Sequence, residues 1–330
     1  YNFRNYIGFG LMKPDEVTFG HLFSNAGYKT CISGKWQLYS YATLDEAPEL
    51  RNKGQKIEDA GFDEYSVWHA HHTEAKGSRY KDPVIYENGK YLTDTKGKYG
   101  EDVFAQYINN FMEKNRDEEF FVYFPMALTH RPFEPTPDSP EFNDFESYTN
   151  TSASRKGRTF ETVEGWDDNP RYYKDMVEYH DKVIGRVMDK LDELGIADNT
   201  IFLFVADHGS SGKGSLFRTK GMEVPCIVRW PNGIKAGTVC DELMQSTDFV
   251  PTWFDVAGAE IPKGYHLDGI SFAPLFKNPD QPYRDYVFGE MGGARSIKTK
   301  DWNLITLRYP KDVIAYEDRK LKQLTGLSGG

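Results

Sequence analysis

The alternation of helical segments with short apolar runs is the feature of this sequence that most constrains its fold. Thr18 can cap a short helix that ends before Gly27, and an apolar run over residues 28–33 follows. A second helical stripe over residues 101–115 leads into the apolar run 120–126. Each unit is therefore predicted to be a helix followed by a buried strand.

One further unit repeats this order, and a strand followed by a helix comes after it. Pro170 stands near the start of a third helix, whose apolar spacing continues to Leu194, and strand-like residues 200–206 follow it. Another buried strand is predicted at residues 226–230, before a helix over residues 248–257. Helices that alternate with continuous apolar strands predict an α/β fold, with a mostly parallel central sheet and helices on both faces.

Near the C-terminus the pattern changes to short strand-like pieces at residues 286–289, 294–298 and 302–307. These pieces predict a small antiparallel subdomain. We place the boundary near residue 278, which assigns residues 1–278 to a large α/β domain and residues 279–330 to the start of the C-terminal subdomain.

The composition excludes several classes of protein. Forty basic and fifty acidic residues give a net charge of −10, which argues against nucleic-acid binding, although a nearby lysine can still hold a small anion. No apolar run approaches the roughly 18 to 20 residues that span a bilayer. Cys31, Cys226 and Cys240 form no CxxC pair, so we expect neither a disulfide framework nor a zinc ribbon. Cys31 and Cys226 lie in apolar strands, where we expect buried thiols.

Polar side chains follow three of the predicted strands. Asp207 and His208 come directly after the run 200–206, and a glycine-rich loop with Lys213 follows them. The other two strand ends carry Lys35 with Gln37 and His130 with Arg131. Taken singly, each has an ordinary structural interpretation, as an aspartate that caps a helix, a solvated lysine or a loop histidine.

Taken together, these strand ends indicate a site. The carboxyl ends of parallel strands lie at one edge of a sheet, and ligands of α/β folds bind there. One hard carboxylate, two imidazoles and two ammonium groups at such an edge suit a divalent cation that holds a tetrahedral oxyanion, either sulfate or phosphate.

Segments along nearly the whole chain resemble the sulfatases of the alkaline phosphatase superfamily. The segments that carry the resemblance are Gly27-Tyr28-Lys29-Thr30, Gly34-Lys35-Trp36, residues 123–133, Ala206-Asp207-His208-Gly209, Lys213-Gly214-Ser215-Leu216-Phe217 and residues 224–231, then Asp248, Pro251-Thr252 and Asp268-Gly269. They follow one another in the order usual for that family. The first two are similar to its second signature, and residues 206–217 are similar to its metal loop and catalytic-lysine segment.

The resemblance implies a sulfuric ester hydrolase with an alkaline phosphatase-like fold, in which residues 1–278 form the catalytic domain. It implies a formylglycine nucleophile, made from Cys or Ser by a formylglycine-generating enzyme, and one divalent cation, expected to be Ca²⁺. By position, the implied metal ligands are Asp207 and His208, the catalytic residues Lys35, His130 and Lys213, and the substrate-binding residues Gln37 and Arg131. His130 would bind sulfate or protonate the leaving oxygen.

The sequence departs from the family pattern at two places. The nucleophile motif, Cys/Ser-x-Pro-x-Arg, and an N-terminal aspartate pair are absent from the 330 residues. Because the chain opens at Tyr1 without a Met, we expect it to be an N-terminally truncated piece of a longer protein that carries both upstream. Gln37 replaces the usual histidine, and since glutamine cannot exchange a proton near pH 7, release of sulfate needs another base or water.

The leading hypothesis is hydrolysis of a sulfated carbohydrate or an aryl sulfate by a periplasmic or secreted protein. An alternative within the superfamily is a phosphodiester or phosphonate monoester hydrolase, because the nucleophile segment separates the two chemistries. A third possibility is a non-catalytic module that binds sulfated glycans through Lys35, His130 and Lys213. We expect no nucleic-acid partner and no membrane span.

Residues near position 70 hold two further candidates. The run His69-Ala70-His71-His72 could place alternate imidazoles on one strand face, but the hard acidic ligands lie elsewhere, so a loop near the substrate is the favoured interpretation. Trp68, Arg79 and Tyr80 could stack against a sugar, although exposed aromatic side chains need no such role.

Overall fold

The computed structural model describes residues 12–39, 52–71, 77–147, 170–209, 216, 221–291 and 294–308. Contacts between residues divide the chain into two compact units. The first unit comprises residues 1–200 with 260–263, and the second comprises residues 201–259 with 264–330. The boundary expected near residue 278 separates a catalytic domain from a C-terminal subdomain, and it stays a prediction.

A five-stranded sheet forms the centre of the first unit. Its strands are β1 (Lys29–Lys35), β2 (Glu64–Trp68), β3 (Ile85–Glu87), β4 (Lys90–Tyr91) and β5 (Phe120–Tyr123), in the order β4-β3-β2-β1-β5. β1 runs parallel to β2 and to β5, whereas β3 and β4 add antiparallel pairings beyond β2. The predicted α/β fold is confirmed, and its central sheet is mixed, with β2, β1 and β5 as the parallel part.

The first helix begins and ends where its sequence predicts. Helix α1 (Phe19–Asn25) starts after Thr18, whose hydroxyl oxygen accepts a hydrogen bond from the His21 N–H at 3.3 Å. Gly27 follows the helix with φ at 93°, in the left-handed region that favours glycine. The cap and the glycine therefore set the ends of α1 and direct the chain into β1.

Two long helices accompany the sheet, and both were predicted. Helix α2 (Gly100–Lys114) packs on β1, on β2 and on α3 (Pro170–Glu193). The buried apolar side chains of α2 recur at helical spacing and are Phe104, Ala105, Ile108, Phe111 and Met112. Within the described part of the chain, neither these helices nor any other combine the length and apolar character that a membrane span needs.

The core of the first unit covers both faces of the sheet. Because side chains alternate along a strand, Trp68 points to the face that α2 covers, and it packs there with Ile85 and Phe104. The opposite face is covered by a second buried cluster, formed by Ile32, Trp36, Ile57, Ala60, Phe62, Tyr65, Val67 and Ala70. β1 and β2 are therefore buried on both sides over most of their length, as the apolar sequence of β1 predicts. β5 is only half-buried, and Tyr123 at its end is 41% exposed.

In its described residues, the second unit contains two small antiparallel sheets and one α-helix. β6 (Phe202–Val205) pairs with β7 (Cys226–Arg229), and helix α4 (Phe249–Ala257) ends at Gly258, whose φ is 63°. The second sheet contains β8 (Val287–Met291), β9 (Ala294–Lys298) and β10 (Asn303–Leu307). This sheet confirms the predicted antiparallel segment near the C-terminus.

A strand forms within residues 226–230 as predicted, but the prediction that it is buried is wrong. Cys226 is exposed, and Ile227 is 61% exposed. In the described residues β7 pairs with β6 alone, and two strands cannot bury both of their faces. Cys31, in contrast, is buried in β1 as predicted, and burial raises the pKa of its thiol.

The core contacts of α2 predict a large loss of stability on truncation. Ile108 is 1% exposed, so Ile108→Ala should lower the free energy of unfolding by about 2 to 5 kcal/mol, through lost apolar burial and a cavity. Gln106→Ala on the exposed face of the same helix should change it by less than about 0.5 kcal/mol. Urea unfolding checks both variants, and equal losses would contradict this account of the core.

Candidate active site

The three parallel strands of the first unit end at the same edge of the sheet. Lys35, the last residue of β1, is in register with Trp68, the last residue of β2. The Lys35 N–H donates to the Pro125 carbonyl oxygen at 2.8 Å, just after β5. We call this place, formed by residues 35–37, 68–71 and 124–131, the carboxyl edge.

Gly34 allows the chain segments of the carboxyl edge to approach closely. Its φ is 137°, and a Cβ atom built on it would overlap the Pro125 carbonyl group. Both the backbone conformation and the lack of space therefore require glycine at this position. The close contact holds the end of β1 against the segment that carries His130.

The backbone turns sharply where β1 and β2 end. Gln37 and His69 have φ angles of 58° and 63°, and the Gln37 N–H donates to the His69 carbonyl oxygen at 3.2 Å. Such left-handed conformations are uncommon for residues other than glycine and concentrate at functional sites. The strand end thus places Gln37, one of the predicted substrate-binding residues, beside the end of β2.

The histidines after β2 do not share a face. His69 is buried with 2% exposure, whereas the His71 Nε2 lies 3.3 Å from the Glu58 Oε2. His72 lies outside the described residues. The alternating spacing suggested a common face, but β2 ends at Trp68, so the two-residue periodicity of a strand does not extend through these residues.

His130 is exposed at the carboxyl edge, and its ring orientation is set by its neighbour. Its Nδ1 lies 2.7 Å from the Arg131 carbonyl oxygen. A carbonyl oxygen only accepts, so Nδ1 carries a proton and the neutral ring has its lone pair on Nε2. Nε2 is therefore the atom that can exchange a proton with a ligand.

Glu101, in the first turn of α2, binds the backbone just before His130. The Glu101 side chain is fully buried, and its Oε1 accepts hydrogen bonds from the Ala127 N–H at 2.7 Å and from the Leu128 N–H at 3.2 Å. Burial raises the pKa of this carboxyl to about 7, although both hydrogen bonds and the nearby Arg79 charge act in the opposite direction.

Tyr80 and Arg79 bind the same loop through its carbonyl groups. The Tyr80 hydroxyl lies within hydrogen-bond distance of two carbonyl oxygens, that of Ala127 at 3.0 Å and that of His130, and its single proton is shared between them. The Arg79 guanidinium donates to the Arg131 carbonyl oxygen at 2.6 Å. Buried side chains therefore bind the backbone of the His130 loop on both sides of the histidine.

These contacts correct the suggestion that Trp68, Arg79 and Tyr80 form a sugar-binding surface. All three side chains are buried, with exposures of 3%, 8% and 0%. The Arg79 guanidinium lies 4.9 Å from the centre of the Trp68 ring, so that ring face stacks on a cation inside the protein. A buried ring cannot stack against a substrate.

The second unit carries Asp207 and His208 directly after β6. The Asp207 side chain is 86% exposed, and its Oδ1 accepts a hydrogen bond from the His208 N–H at 2.9 Å. The His208 Nδ1 lies 2.9 Å from the Gly209 carbonyl oxygen, and its Nε2 lies 3.5 Å from the Asp207 Oδ2. Lys213, the catalytic lysine that the resemblance implies, lies outside the described residues.

Asp207 and His208 each have an atom suited to a divalent cation. Asp207 supplies a hard carboxylate oxygen, while an imidazole nitrogen suits softer ions than Ca²⁺. Across the described ranges, no group of three or more His, Cys, Asp or Glu side chains could hold a metal ion. Since Ca²⁺ takes about six to eight oxygen ligands, the described donors do not form a complete calcium site.

Comparison with known proteins identifies the family. The family profile described as Sulfatase matches residues 2–259. The chain belongs to the sulfatase family. A second profile, described as N-sulphoglucosamine sulphohydrolase, C-terminal, matches residues 207–323 of this sulfatase chain. Membership of the family also implies a divalent cation.

A curated relative of this sulfatase chain is considerably longer. An N-acetylglucosamine-6-O-sulfatase from Bacteroides thetaiotaomicron is 24% identical over 385 residues, which cover 88% of this chain and 64% of the relative. Other curated relatives are covered over about half of their length. The sulfatase chain therefore spans less than two thirds of the relatives that it matches.

Two solved structures share the fold of this sulfatase chain. One, described as a complex with its substrate D-glucosamine-2-N,6-O-disulfate, has a TM-score of 0.63 and 21% identity, and the match covers 96% of this chain and 82% of that chain. A phosphonate monoester hydrolase of Agrobacterium radiobacter has a TM-score of 0.58 and 15% identity, with coverages of 90% and 73%. The alkaline phosphatase-like fold predicted from the sequence is confirmed.

The structure brings some of the predicted site residues of the sulfatase chain together. Lys35 and Gln37 lie on the carboxyl edge with the loop of His130 and Arg131, whereas Asp207 and His208 follow β6 in the second unit. Their catalytic, substrate-binding and metal-binding roles stay predictions. Sequence reasoning missed Glu101, because an acidic residue in the first helical turn is ordinarily a solvated partner of the helix dipole.

The pKa of Glu101 predicts a pH-dependent difference in stability. The folded-state pKa, about 7, lies above the ordinary value of 4.5, so the stability associated with its proton is complete below pH 4.5 and is lost as pH rises through 7. Glu101→Gln cannot titrate. Relative to wild type, its free energy of unfolding should therefore rise by about 3 kcal/mol between about pH 4 and pH 8.

Urea unfolding across this pH range measures the difference. Glu113→Gln is the control on the same helix, because the Glu113 side chain is 61% exposed and forms an ion pair with Lys190. Its free energy of unfolding relative to wild type should change little across this pH range. A Glu101→Gln difference that does not change with pH would show that Glu101 titrates as an ordinary surface carboxyl.

Proposed function

We propose that the natural protein hydrolyses sulfate esters, either of a sulfated carbohydrate or of an aryl alcohol. The observation that carries the proposal is the carboxyl edge, where the backbone of Lys35 and Gln37 lies against the end of β2 and against the segment that leads to His130, in a chain of the sulfatase family. A curated relative is named an N-acetylglucosamine-6-O-sulfatase, and a fold neighbour was solved with D-glucosamine-2-N,6-O-disulfate as its substrate. Both names support a carbohydrate sulfate as the substrate class.

Each proposed role follows from the chemistry of the side chain. The Lys35 ammonium and the Lys213 ammonium attract and hold the anionic sulfate group. His130, protonated on Nε2, donates that proton to the leaving ester oxygen as the sulfur–oxygen bond breaks, while its Nδ1–H remains bonded to the Arg131 carbonyl oxygen. The Gln37 amide and the Arg131 guanidinium bind sulfate or sugar oxygens.

The proposal needs a nucleophile that the 330 residues do not encode, because no Cys/Ser-x-Pro-x-Arg motif is present in them. We propose a formylglycine, produced by a formylglycine-generating enzyme from a residue of the natural protein outside this sequence. Because Gln37 cannot accept a proton near pH 7, release of sulfate uses another base or water.

The cation and the location form a second part of the proposal. Asp207 supplies an oxygen ligand and His208 an Nε2 ligand to one divalent cation, which we propose to be Ca²⁺, with further ligands from outside the described residues. We also propose a periplasmic or secreted protein, by analogy with the family.

A phosphonate or phosphodiester ester remains the alternative substrate class. The fold of the chain is also that of the phosphonate monoester hydrolase described above. Sulfate and phosphonate monoesters both present a tetrahedral anion to a lysine-lined site, so the carboxyl edge suits either. The proposed nucleophile and a direct comparison of substrates separate the two.

The first test of the proposed function is a substrate comparison. The protein at its natural length, co-expressed with a formylglycine-generating enzyme, should hydrolyse 4-nitrophenyl sulfate or 6-O-sulfated glucosamine, and release of nitrophenol or sulfate measures the rate. Activity confined to phenyl phosphonate or phosphodiesters would replace the proposal with its alternative, and no turnover of any of these esters would contradict both.

The second test concerns Lys213. One preorganised donor to a developing oxyanion is worth about 3 to 4 kcal/mol, so Lys213→Ala should lower kcat about a hundredfold or more. Lys220→Ala, a change of the same type seven residues later in the sequence, should leave kcat nearly unchanged. A loss confined to KM would limit Lys213 to ground-state binding, and a larger effect of Lys220→Ala would overturn the assignment of this loop.

A further inference from the structure

The loop that carries His130 contains a tight turn at the carboxyl edge. The His130 N–H donates to the Ala127 carbonyl oxygen at 2.8 Å, which closes residues 127–130 into the turn. We call these four residues the histidine turn. This hydrogen bond and the one between the His130 Nδ1 and the Arg131 carbonyl oxygen orient the ring relative to the loop, so the position of the imidazole depends on what holds the loop itself.

Glu101 binds the amide side of the histidine turn. Its Oε1 accepts from the N–H groups of Ala127 and Leu128, at 2.7 and 3.2 Å, and these are the first two residues of the turn. The other carboxyl oxygen, Oε2, is buried and has no hydrogen-bond partner among the residues that the structure describes. Burying a carboxyl group in this way costs free energy, which indicates that the position serves something other than stability.

Tyr80 binds the carbonyl side of the same turn. Its buried hydroxyl shares its single proton between the carbonyl oxygens of Ala127 and His130, the first and last residues of the turn. Ring burial and the two carbonyl contacts leave the hydroxyl little freedom. Glu101 and Tyr80 therefore bind the turn through opposite kinds of backbone group, so that a rotation of the turn about its ends would break contacts on both sides.

The start of α2 is seated so that both side chains reach the turn. The Gly100 N–H donates to the Tyr80 carbonyl oxygen at 2.9 Å, and a Cβ atom on Gly100 would overlap the Arg79 carbonyl group. Glycine thus permits the backbone of α2 to lie directly against residues 79–80. This contact fixes the distance between Glu101 and Tyr80 independently of the turn itself.

We infer that Glu101 and Tyr80 are positioning residues for His130, which hold its imidazole at the carboxyl edge in the orientation that proton transfer requires. The inference rests on the proposed function, because it assigns these residues to the hydrolysis step. Neither side chain needs to contact the substrate. Their effect is on the geometry of the proton donor, to which rates are sensitive at displacements of about 1 Å.

Substitutions at Glu101 separate positioning from stability. Glu101→Ala leaves two buried N–H groups without an acceptor and should lower kcat about ten- to a hundredfold, with KM changed less than about threefold. Glu101→Gln keeps an acceptor oxygen in place and should retain kcat within about fivefold of wild type. Steady-state hydrolysis of 4-nitrophenyl sulfate by the protein at its natural length gives both constants.

Ile108→Ala is the matched control, because Ile108 is buried on the same helix and its apolar side chain cannot form a hydrogen bond to the turn. Under conditions where it remains folded, it should keep the wild-type kcat despite its lower stability. An equal kcat loss in Ile108→Ala, a wild-type kcat in Glu101→Ala, a loss confined to KM, or a Glu101→Gln variant as slow as Glu101→Ala would each overturn the inference.

Tyr80→Phe tests the inference if Glu101→Ala does not fold. This change removes the hydroxyl donor and keeps the ring, so kcat should fall about tenfold or more while KM is retained. If Tyr80→Phe keeps the wild-type kcat, the Tyr80 hydroxyl does not position the turn, and the inference is overturned.

Amide hydrogen exchange distinguishes a failure of this inference from a failure of the proposed function. In Glu101→Ala or Tyr80→Phe, peptides that contain residues 127–130 should exchange faster than in wild type, while peptides from β1 should not change. Unchanged exchange of the turn would overturn the inference. If the variants exchange faster but the wild-type protein hydrolyses no sulfate ester, only the proposed function is contradicted. The conclusion that Glu101 and Tyr80 hold the turn in place would still stand.

Discussion

The parallel pairing of β1 with both β2 and β5 is the interaction on which the candidate site depends. Parallel strands need long connections, so the segments that meet at their ends are distant in sequence. Backbone hydrogen bonds continue past the strands, from the Lys35 N–H to the Pro125 oxygen at 2.8 Å and from the Trp36 N–H to the Trp68 oxygen at 3.0 Å. Because Gly34 has no Cβ, the first of these contacts can form. Lys35 and the His130 loop share one edge of the sheet for this reason.

Buried polar groups then determine how that edge presents its side chains. Glu101, Tyr80 and Arg79 are all buried, and each forms hydrogen bonds to backbone groups of residues 127–131. A buried polar group is costly unless its partners are well placed, so such groups accept few alternative arrangements of the loop. The exposed His130 is thus supported by an interior that has little freedom, which is the arrangement expected of a preorganised site.

Local sequence signals predicted much of the fold. The Thr18 cap, the glycines after α1 and α4 and the apolar stripe of α2 act within one or two helical turns, and the structure confirms all of them. The exposure of β7 could not be predicted, because an apolar run does not reveal how many neighbours a strand has. The burial of Arg79 and Trp68 was also missed, since a cation and an aromatic ring near a proline are ordinarily exposed.

The sequence by itself determined the family, the four helices with the strands next to them, and which polar residues follow those strands, because these depend on residue types and on contacts between near neighbours. It did not predict β2, β3 or β4. Only the tertiary structure decided that Glu101 accepts hydrogen bonds from the N–H groups of the histidine turn and that the Tyr80 hydroxyl binds its carbonyl groups. It also decided that His69 is buried while His71 lies beside Glu58. The physical reason is that burial and backbone partners at these positions come from segments far apart in the chain. Neither residue type nor periodicity records which distant segment will fill the space around a side chain.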